Sequence, residues 1–256
     1  MCRSMTLQLA SLPDGYRAVV FGATGAIGSA LLETLAEDPR CGARMAASRS
    51  GRAVAGAPGL AFDASDPDTL DAVMNAACRD GPVHLVIAAT GALHGEAALA
   101  PEKTWRHLDA DRLADAFAVN TILPALIARA ALPRLARGGE DAPEKAVFAA
   151  LSARVGSISD NRLGGWHAYR ASKAALNQII KTCSIELARK APHALCVGLH
   201  PGTVDSRLSG PFQRNVPSGK LFTPSYAAQR LLSVIDGLEP SDTGKVFDWA
   251  GEEVLP

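Results

Sequence analysis

The chain has 256 residues, 48% of them hydrophobic and 20% charged, which is enough to bury one full core. Lysine and arginine together number 26, as do aspartate and glutamate, so no global positive field attracts nucleic acid or an anionic membrane, and a small-molecule partner is favoured. The five cysteines are scattered without metal-ligand spacing, a usage that favours a reducing cytoplasm and no metal site.

Apolar runs of strand length alternate with helix-period stretches along the chain. The runs are continuous, which is typical of strands covered on both faces of a parallel sheet. Strands are predicted at 17–22, 43–48, 60–62, 83–89, 146–151 and 195–200, and helices at 26–37, 68–79, 112–137, 168–190 and 225–237. This alternation predicts one α/β domain over 1–256, with a doubly wound parallel sheet of the Rossmann type and a flexible segment at 1–16. No apolar run approaches the roughly 20 residues of a membrane helix, so neither a membrane span nor a signal peptide is expected.

A glycine-containing turn joins the first predicted strand to the first predicted helix. Glycine has no side chain to block a ligand, so backbone N–H groups and the positive end of the helix can face a pyrophosphate. An ordinary strand-to-helix turn is the alternative. The predicted cofactor contacts in this turn are Gly22, Thr24, Gly25, Ala26, Ile27 and Gly28.

The end of the second predicted strand favours NADP(H) over NAD(H). Many dinucleotide folds place an acidic residue there to bind the adenosine ribose, but this chain has Ser48 and Arg49, with Arg52 nearby. A guanidinium group can pair with a 2′-phosphate, although both arginines could equally be solvated loop charges. Asp63 could accept a hydrogen bond from the adenine amino group, or it could cap the next helix, for which Asp66 is a second candidate.

Tyr169 and Lys173 lie one turn apart in the helix predicted at 168–190, so their side chains share a face. A phenol has a pKa near 10, and acid–base work near neutrality requires a decrease of roughly 2 to 3 units, or about 3 to 4 kcal/mol. A neighbouring ammonium group can favour the phenolate. From the spacing alone, the pair could equally be a surface contact.

Several motifs occur in order between Arg17 and about Asp248. They are the glycine turn, Asp63, Ala88-Ala89-Thr90-Gly91, Asn120 within Phe117-Ala118-Val119-Asn120, Tyr169 with Lys173, and Pro201-Gly202 followed by Ser206. Through this series the chain resembles the short-chain dehydrogenase/reductase family. It is most similar to the C-factor-like and sniffer-like carbonyl reductase branch in Gly156-Ser157-Ile158 and in the ending Val246-Phe247-Asp248-Trp249-Ala250-Gly251.

The resemblance implies a single Rossmann-type domain with about seven strands in the order 3-2-1-4-5-6-7. It implies an NAD(P)-dependent oxidoreductase in which the nicotinamide exchanges a hydride with a carbonyl or alcohol substrate. It also implies a homodimer or homotetramer formed through the helices predicted at 112–137 and 168–190.

The resemblance assigns roles to individual residues. Tyr169 would donate or accept the substrate proton, and Lys173 would hold the nicotinamide ribose and lower the tyrosine pKa. Asn120 would use a local helix irregularity and a water molecule to extend a proton relay, the alternative being a polar residue that faces solvent. The remaining predicted cofactor contacts are Ala89, Thr90, Gly91, Pro201, Gly202, Thr203 and Ser206.

The sequence departs from the family pattern at the serine that binds the substrate carbonyl. Ala153 occupies that position, and Ser152 lies one residue earlier, where an extended strand would turn its side chain to the other face. Either a bulge re-aims Ser152, or Ser157 substitutes, or the enzyme works without this donor. Ser152 is taken as the catalytic candidate.

Two further departures leave the activity open. Ala88-Ala89 replaces the usual pair of asparagines, and Ala26 replaces the usual middle glycine. Together with Ala153, the missing asparagines support an alternative, a cofactor-binding sensor or signalling protein with weak or no turnover. The segment 206–222 is expected to form an apolar substrate lid, and Trp166 is either a packing anchor or a wall of the substrate site.

Overall fold

The structure is a computed structural model that describes residues 7–93, 101–138, 142 and 144–256. Its β-strands are β1 (Tyr16–Phe21), β2 (Cys41–Ser48), β3 (Gly59–Ala61), β4 (Leu85–Ala88), β5 (Ala146–Leu151), β6 (Ala194–His200), β7 (Thr203–Val204), β8 (Leu221–Phe222) and β9 (Val246–Asp248). Its α-helices are α1 (Ala26–Glu37), α2 (Pro67–Ala77), α3 (Ala110–Phe117), α4 (Leu123–Ala131), α5 (His167–Ala188) and α6 (Pro224–Gly237). Short 3₁₀ turns lie at Trp105–His107, Leu132–Arg134, Arg154–Gly156, Gly210–Asn215 and Pro240–Asp242.

The main sheet has seven parallel strands in the order β3-β2-β1-β4-β5-β6-β9. The predicted Rossmann-type fold and strand order are therefore confirmed. The last strand is numbered nine because β7 and β8 form a separate two-stranded ribbon before it.

Two apolar layers cover the sheet. Leucines of α1 and α6 pack on one face, and apolar side chains of α2, α4 and α5 pack on the other. Every residue of β4 and β5 is buried. Burial on both faces is the reason why these strands are continuous apolar runs in the sequence.

The strand register brings the predicted site residues to one edge. Phe21 of β1 pairs with Ala88 of β4, which pairs with Ala150 of β5, and Leu151 pairs with Leu199 of β6. The carboxyl ends of these four strands therefore lie side by side. Ligands of open α/β sheets bind at such an edge.

The prediction of a flexible segment at 1–16 is wrong for residues 7–16. Leu9 and Leu12 are each only 1% exposed, and Tyr16 begins β1. Asp38 anchors this segment, because its Oδ2 accepts hydrogen bonds from Tyr16 Oη at 2.9 Å and from Leu9 N at 3.0 Å. Residues 1–6 lie outside the described part of the chain.

The helix predicted at 112–137 is observed as a continuous but irregular helical stretch, Ala110–Arg134. It consists of α3, a π-helical turn at Ala118–Ile122, α4 and a 3₁₀ turn. Its most apolar window has a mean hydropathy of 1.5, so by length and composition one candidate membrane span does exist, contrary to the sequence-based expectation. The core helix of a soluble protein passes the same test, and 44% of this window is buried inside the protein.

Candidate active site

The turn between β1 and α1 brings two backbone segments too close together for side chains. Gly22 has φ +78°, and a Cβ atom there would lie 2.7 Å from Ala89 O at the end of β4. A Cβ atom at Gly28 would collide with the carbonyl group of Gly22. Glycine at these two positions is therefore required by the close approach of the backbone.

The same turn is open to solvent. Thr24, Gly25 and Ala26 are exposed, and Ile27 is half-buried. Gly25 precedes α1 and provides no side-chain cap. The first-turn N–H groups of α1, with the positive end of the helix dipole, therefore remain for an anionic ligand.

The end of β2 carries two exposed cations. Arg49 and Arg52 are exposed, and neither forms an ion pair with the described residues. Ser48 beside them is buried, with its Oγ 3.2 Å from Ser50 Oγ. This geometry leaves both guanidinium groups free to bind a phosphate.

Asp63 and Asp66 have different local roles. Asp66 caps α2, since its Oδ1 accepts a hydrogen bond from Asp68 N at 3.0 Å. Asp63 accepts hydrogen bonds from the hydroxyl and the N–H group of Ser65, and these bonds hold the pKa of its carboxyl group below the usual value. Asp66 is therefore the residue that caps the helix. Asp63 is exposed and can accept a hydrogen bond from an adenine amino group.

The chain after β4 runs close to Asn120 and Lys173. Ala89 N donates to Phe21 O at 2.8 Å, which ties this segment to the end of β1. Thr90 Oγ1 is buried without a hydrogen-bond partner among the described residues. A methyl group at Gly91 would lie 3.6 Å from Asn120 Oδ1 and 3.8 Å from Lys173 Nζ. The strand end, the asparagine and the lysine therefore meet at Gly91.

Asn120 lies in the π-helical turn and is fully buried, so the solvent-facing alternative is wrong. Its Oδ1 accepts from Ala92 N at 2.9 Å, and its Nδ2 donates to Ala92 O at 2.8 Å. Nδ2 also lies 3.2 Å from Ser172 Oγ, while Thr121 Oγ1 donates to Ser172 O at 2.7 Å. The irregular turn therefore connects the segment after β4 to α5, and the relay role stays a prediction.

Tyr169 and Lys173 face each other on α5. Lys173 Nζ lies 5.9 Å from the centroid of the Tyr169 ring and donates to Leu151 O, the last carbonyl group of β5, at 2.7 Å. Lys173 is only 2% exposed. A Cβ atom at Gly156 would lie 2.9 Å from the Cβ of Lys173, so the loop after β5 packs directly on the helix.

Burial disfavours the charged form of both groups. It raises the pKa of Tyr169 to about 12 and lowers the pKa of Lys173 to about 7. Desolvation dominates the pKa of Tyr169, and the lowering effect expected from Lys173 stays a prediction. At neutral pH, Tyr169 is a neutral phenol that can donate a proton.

Ser152 directly follows β5. Its backbone continues the regular ladder, with Ser152 N donating to Leu199 O at 2.8 Å, so the bulge alternative is not observed. Its hydroxyl donates to Asn177 Oδ1 at 2.6 Å. Ser157 is also buried, and its Oγ accepts from Asp160 N at 3.1 Å. Ala153 thus leaves the family position without a hydroxyl, and the catalytic roles of Ser152 and Ser157 stay predictions.

The segment after β6 has the tight turn that the sequence indicates. Pro201 leads into Gly202, which has φ +76° and whose Cβ would lie 2.6 Å from the Phe222 ring. Thr203 begins β7 and pairs with Leu221 in β8. This pairing joins the two ends of the lid segment.

Ser206 lies within that lid and is partly buried. Its Oγ is 3.5 Å from Ser209 Oγ, and Ser209 Oγ donates to Val204 O. The contact of Ser206 with a cofactor stays a prediction.

Trp166 lies between Tyr169 and a ring of the predicted lid. The rings of Trp166 and Tyr169 lie 6.3 Å apart, and those of Trp166 and Phe212 lie 5.0 Å apart. Phe212 belongs to the predicted lid, so Trp166 connects the lid to the tyrosine. This arrangement favours the interpretation of Trp166 as a wall of the substrate site, and the sequence indicated Phe212 only through the apolar character of the lid.

His200 is the last residue of β6 and lies near Arg154 and Asp248. Its Nδ1 is buried without a partner among the described residues. Burial, assisted by the Arg154 charge, lowers the pKa of His200 to about 4, so the ring is neutral. Within the described residues, no three histidine, cysteine, aspartate or glutamate side chains are grouped so that they could hold a metal ion.

Residues 17–216 match the family model described as short chain dehydrogenase. The chain is also 35% identical to C-signal of Myxococcus xanthus over 142 residues, which cover 56% of this chain and 77% of that protein. The chain therefore belongs to the short chain dehydrogenase family, a family of oxidoreductases, as its motifs predict.

Solved structures share the fold over almost the whole chain. Carbonyl reductase Sniffer of D. melanogaster superimposes with a TM-score of 0.79 at 22% identity, covering 94% of this chain and 99% of that one. The NADPH-bound carbonyl reductase from chicken fatty liver gives a TM-score of 0.77 at 23% identity, covering 96% and 100%. At these identities the likeness demonstrates the fold, and it agrees with the branch that the motifs indicate.

Proposed function

We propose that this protein is a carbonyl reductase that uses NADP(H) and acts on apolar carbonyl compounds. The observation that carries the proposal is the neutral Tyr169 beside Lys173, whose Nζ lies next to Gly91 at the carboxyl ends of the strands. Carbonyl reduction requires a hydride donor for the carbonyl carbon and a proton donor for the carbonyl oxygen.

The residues at the strand ends fit a nicotinamide dinucleotide. The turn after β1 has no room for side chains at Gly22 and Gly28, and the buried Thr90 hydroxyl lacks a partner that a ligand could supply. The free guanidinium of Arg49 fits a 2′-phosphate, which favours NADP(H) over NAD(H). The chicken enzyme, with the same fold, binds NADPH.

The chemistry follows from the protonation states. The bound nicotinamide would supply the hydride to the carbonyl carbon. Tyr169 would transfer its phenolic proton to the carbonyl oxygen, and its pKa of about 12 keeps that proton available at neutral pH. Lys173 would restore the proton, and Asn120 would hold the segment at Ala92 so that water can reach the lysine.

The substrate surface is apolar on the side that the structure describes. Trp166 lies beside Tyr169 and Phe212 packs on Trp166, and neither side chain carries a charge. Ile122 and Ile185, on the helices that are expected to form a homodimer or homotetramer, are 52% and 48% exposed. We therefore include a cytoplasmic homo-oligomer in the proposal.

The test is a fluorescence titration of the purified protein with NADPH and with NADH, followed by a panel of ketones, aldehydes and quinones. We expect tighter binding of NADPH and carbonyl-dependent loss of its absorbance. Failure to bind either dinucleotide would refute the proposal.

A second candidate is a cofactor-binding signalling protein with little turnover. Two observations favour it, namely Ala153 at the position of the substrate-binding serine and the sequence similarity to C-signal. Tight NADPH binding without oxidation by any carbonyl compound of the panel would support this candidate over the reductase.

A further inference from the structure

Helix α5 begins without a cap of its own, although it carries Tyr169 in its first turn. The first four N–H groups of a helix have no partner within the helix. The residue before α5 is Trp166, whose side chain forms no capping hydrogen bond. The acceptors for these groups are therefore water or groups elsewhere in the chain.

The backbone before α5 is held in an unusual conformation. Gly164, Gly165 and Trp166 have φ values of +63°, +67° and +53°. Glycine adopts this left-handed region freely, but a tryptophan there costs on the order of 1 kcal/mol or more. Such a conformation persists only where neighbouring groups hold it.

Glu102 supplies an acceptor for the first turn of α5 and also holds the backbone at Trp166. Its backbone O accepts a hydrogen bond from Trp166 N at 2.5 Å, and its Oε2 accepts one from Ala168 N at 3.4 Å. The residue is only 4% exposed. None of the ion pairs among the described residues involves it. A buried carboxylate is costly unless donors or positive charge face it, and the helix N-terminus provides both.

Arg170 holds the same turn from the helix side. Its Nε donates to Gly165 O at 3.0 Å, and one terminal nitrogen donates to Val155 O at 3.2 Å. The turn is therefore fixed from two directions. Glu102 fixes it to the segment before α3, and Arg170 fixes it to α5 and to the loop after β5.

We propose that Glu102 is a positioning residue of the active site. It caps α5 from a distant segment and thereby fixes Trp166 and Tyr169 relative to the strand ends. The inference rests on the proposed function only in that Tyr169 donates the proton. Glu102 does not touch the reacting atoms, and it acts through the first turn of α5.

The direct test measures the position of Trp166 without requiring turnover. A background with Trp105→Phe and Trp249→Phe leaves Trp166 as the only tryptophan. In this background, acrylamide quenching of the Trp166 fluorescence is compared between the chain that keeps Glu102 and its variants Glu102→Ala and Glu102→Asp. Asp109→Ala is the matched control, because Asp109 caps α3 through a 3.0 Å hydrogen bond from Arg112 N.

We expect the quenching constant of Trp166 to increase about twofold in Glu102→Ala and to stay unchanged in the control. In the chain with its natural tryptophans, we expect kcat to decrease at least about tenfold, since small misplacements of a reacting group have effects of this size. The Kd for NADPH should change less than twofold, because the glycine turn lies on β1 and α1. A decrease in thermal stability alone, equal to that of the control, would overturn the proposal.

Two precautions keep the outcomes distinct. If Glu102→Ala does not fold, Glu102→Asp decides, because it withdraws the carboxylate by one methylene; increased quenching supports the proposal and unchanged quenching overturns it. If the protein binds NADPH but reduces no carbonyl compound, the quenching result still decides the role of Glu102. In that case the proposed reductase activity is refuted, and the proposal for Glu102 is judged separately.

Discussion

The turn after β1 and the strand end after β5 lie at the same edge of the sheet, but they are built from different parts of the chain. The first is a backbone structure, in which Gly22 and Gly28 allow close approach and the N–H groups of α1 face outward. The second depends on side-chain direction, and there Ser152 turns to Asn177 while Ala153 takes the family position of the serine. A site made of backbone tolerates sequence change outside its required glycines, whereas a site made of side chains is altered by a one-residue shift.

The largest expected effect is on kcat and concerns the proton donor Tyr169. Tyr169→Phe removes the proton donor, and we expect kcat for carbonyl reduction to decrease by about 10³-fold, within the range of general acid catalysis. NADPH binding should remain, since the turn after β1 is untouched. Steady-state kinetics and fluorescence titration measure the two quantities, and unchanged turnover would refute the assignment of Tyr169.

The next prediction restores the missing donor. Ala153→Ser should increase kcat by roughly 100-fold if the site lacks one hydrogen bond to the developing oxyanion. The matched control is Ser152→Ala, which removes the hydroxyl that donates to Asn177 and should change kcat less than about threefold. The opposite pattern, with Ser152→Ala inactive and Ala153→Ser neutral, would mean that Ser152 is the catalytic serine after all.

A smaller effect is expected on the cofactor side. Arg49→Ser should weaken NADPH binding about tenfold, which corresponds to about 1.4 kcal/mol for one charge-assisted contact. NADH binding should be unaffected because NADH lacks the 2′-phosphate. Arg52→Ser tests the neighbouring exposed cation in the same titration. Equal losses for both dinucleotides would contradict the role of Arg49 in selecting the cofactor.

The smallest effect concerns Lys173. Its pKa is lowered by burial to about 7, so its charge is present below that pH and lost above it. If the charged form supports proton transfer, kcat/KM should decrease about threefold between pH 6.5 and 7.5. Lys173→Arg keeps its charge over this range, so its profile should be flat even if its rate is lower. A rate that increases with pH in the wild-type chain would contradict this role.

The sequence-based predictions were accurate for elements with a local pattern and less accurate for features that depend on distant contacts. Helix α1 begins and ends at the predicted residues, and β5 does as well, because each has a strong local pattern. The N-terminal segment was predicted to be flexible, but Leu9 and Leu12 are buried. They are ordered by Asp38, which is distant in sequence, so no local signal was present.

The pKa of Tyr169 shows the same limit for the site. The spacing of Tyr169 and Lys173 correctly indicates that they face each other, with Nζ 5.9 Å from the ring. It does not indicate how deeply the pair is buried, and burial sets the sign of both pKa changes. Desolvation is a property of the packed protein and cannot be read from two residues.

The sequence alone determined the family, the order of the strands and the glycine turn. The glycine turn depends on local backbone geometry, whereas the family and the strand order followed from the resemblance that the ordered motifs carry. Only the tertiary structure decided that the Ser152 hydroxyl binds Asn177, how desolvation acts on Tyr169 and Lys173, and that Glu102 caps α5 across more than 60 residues of chain. Each of these depends on contacts between distant segments, and such contacts exist only after the sheet has brought the strand ends together.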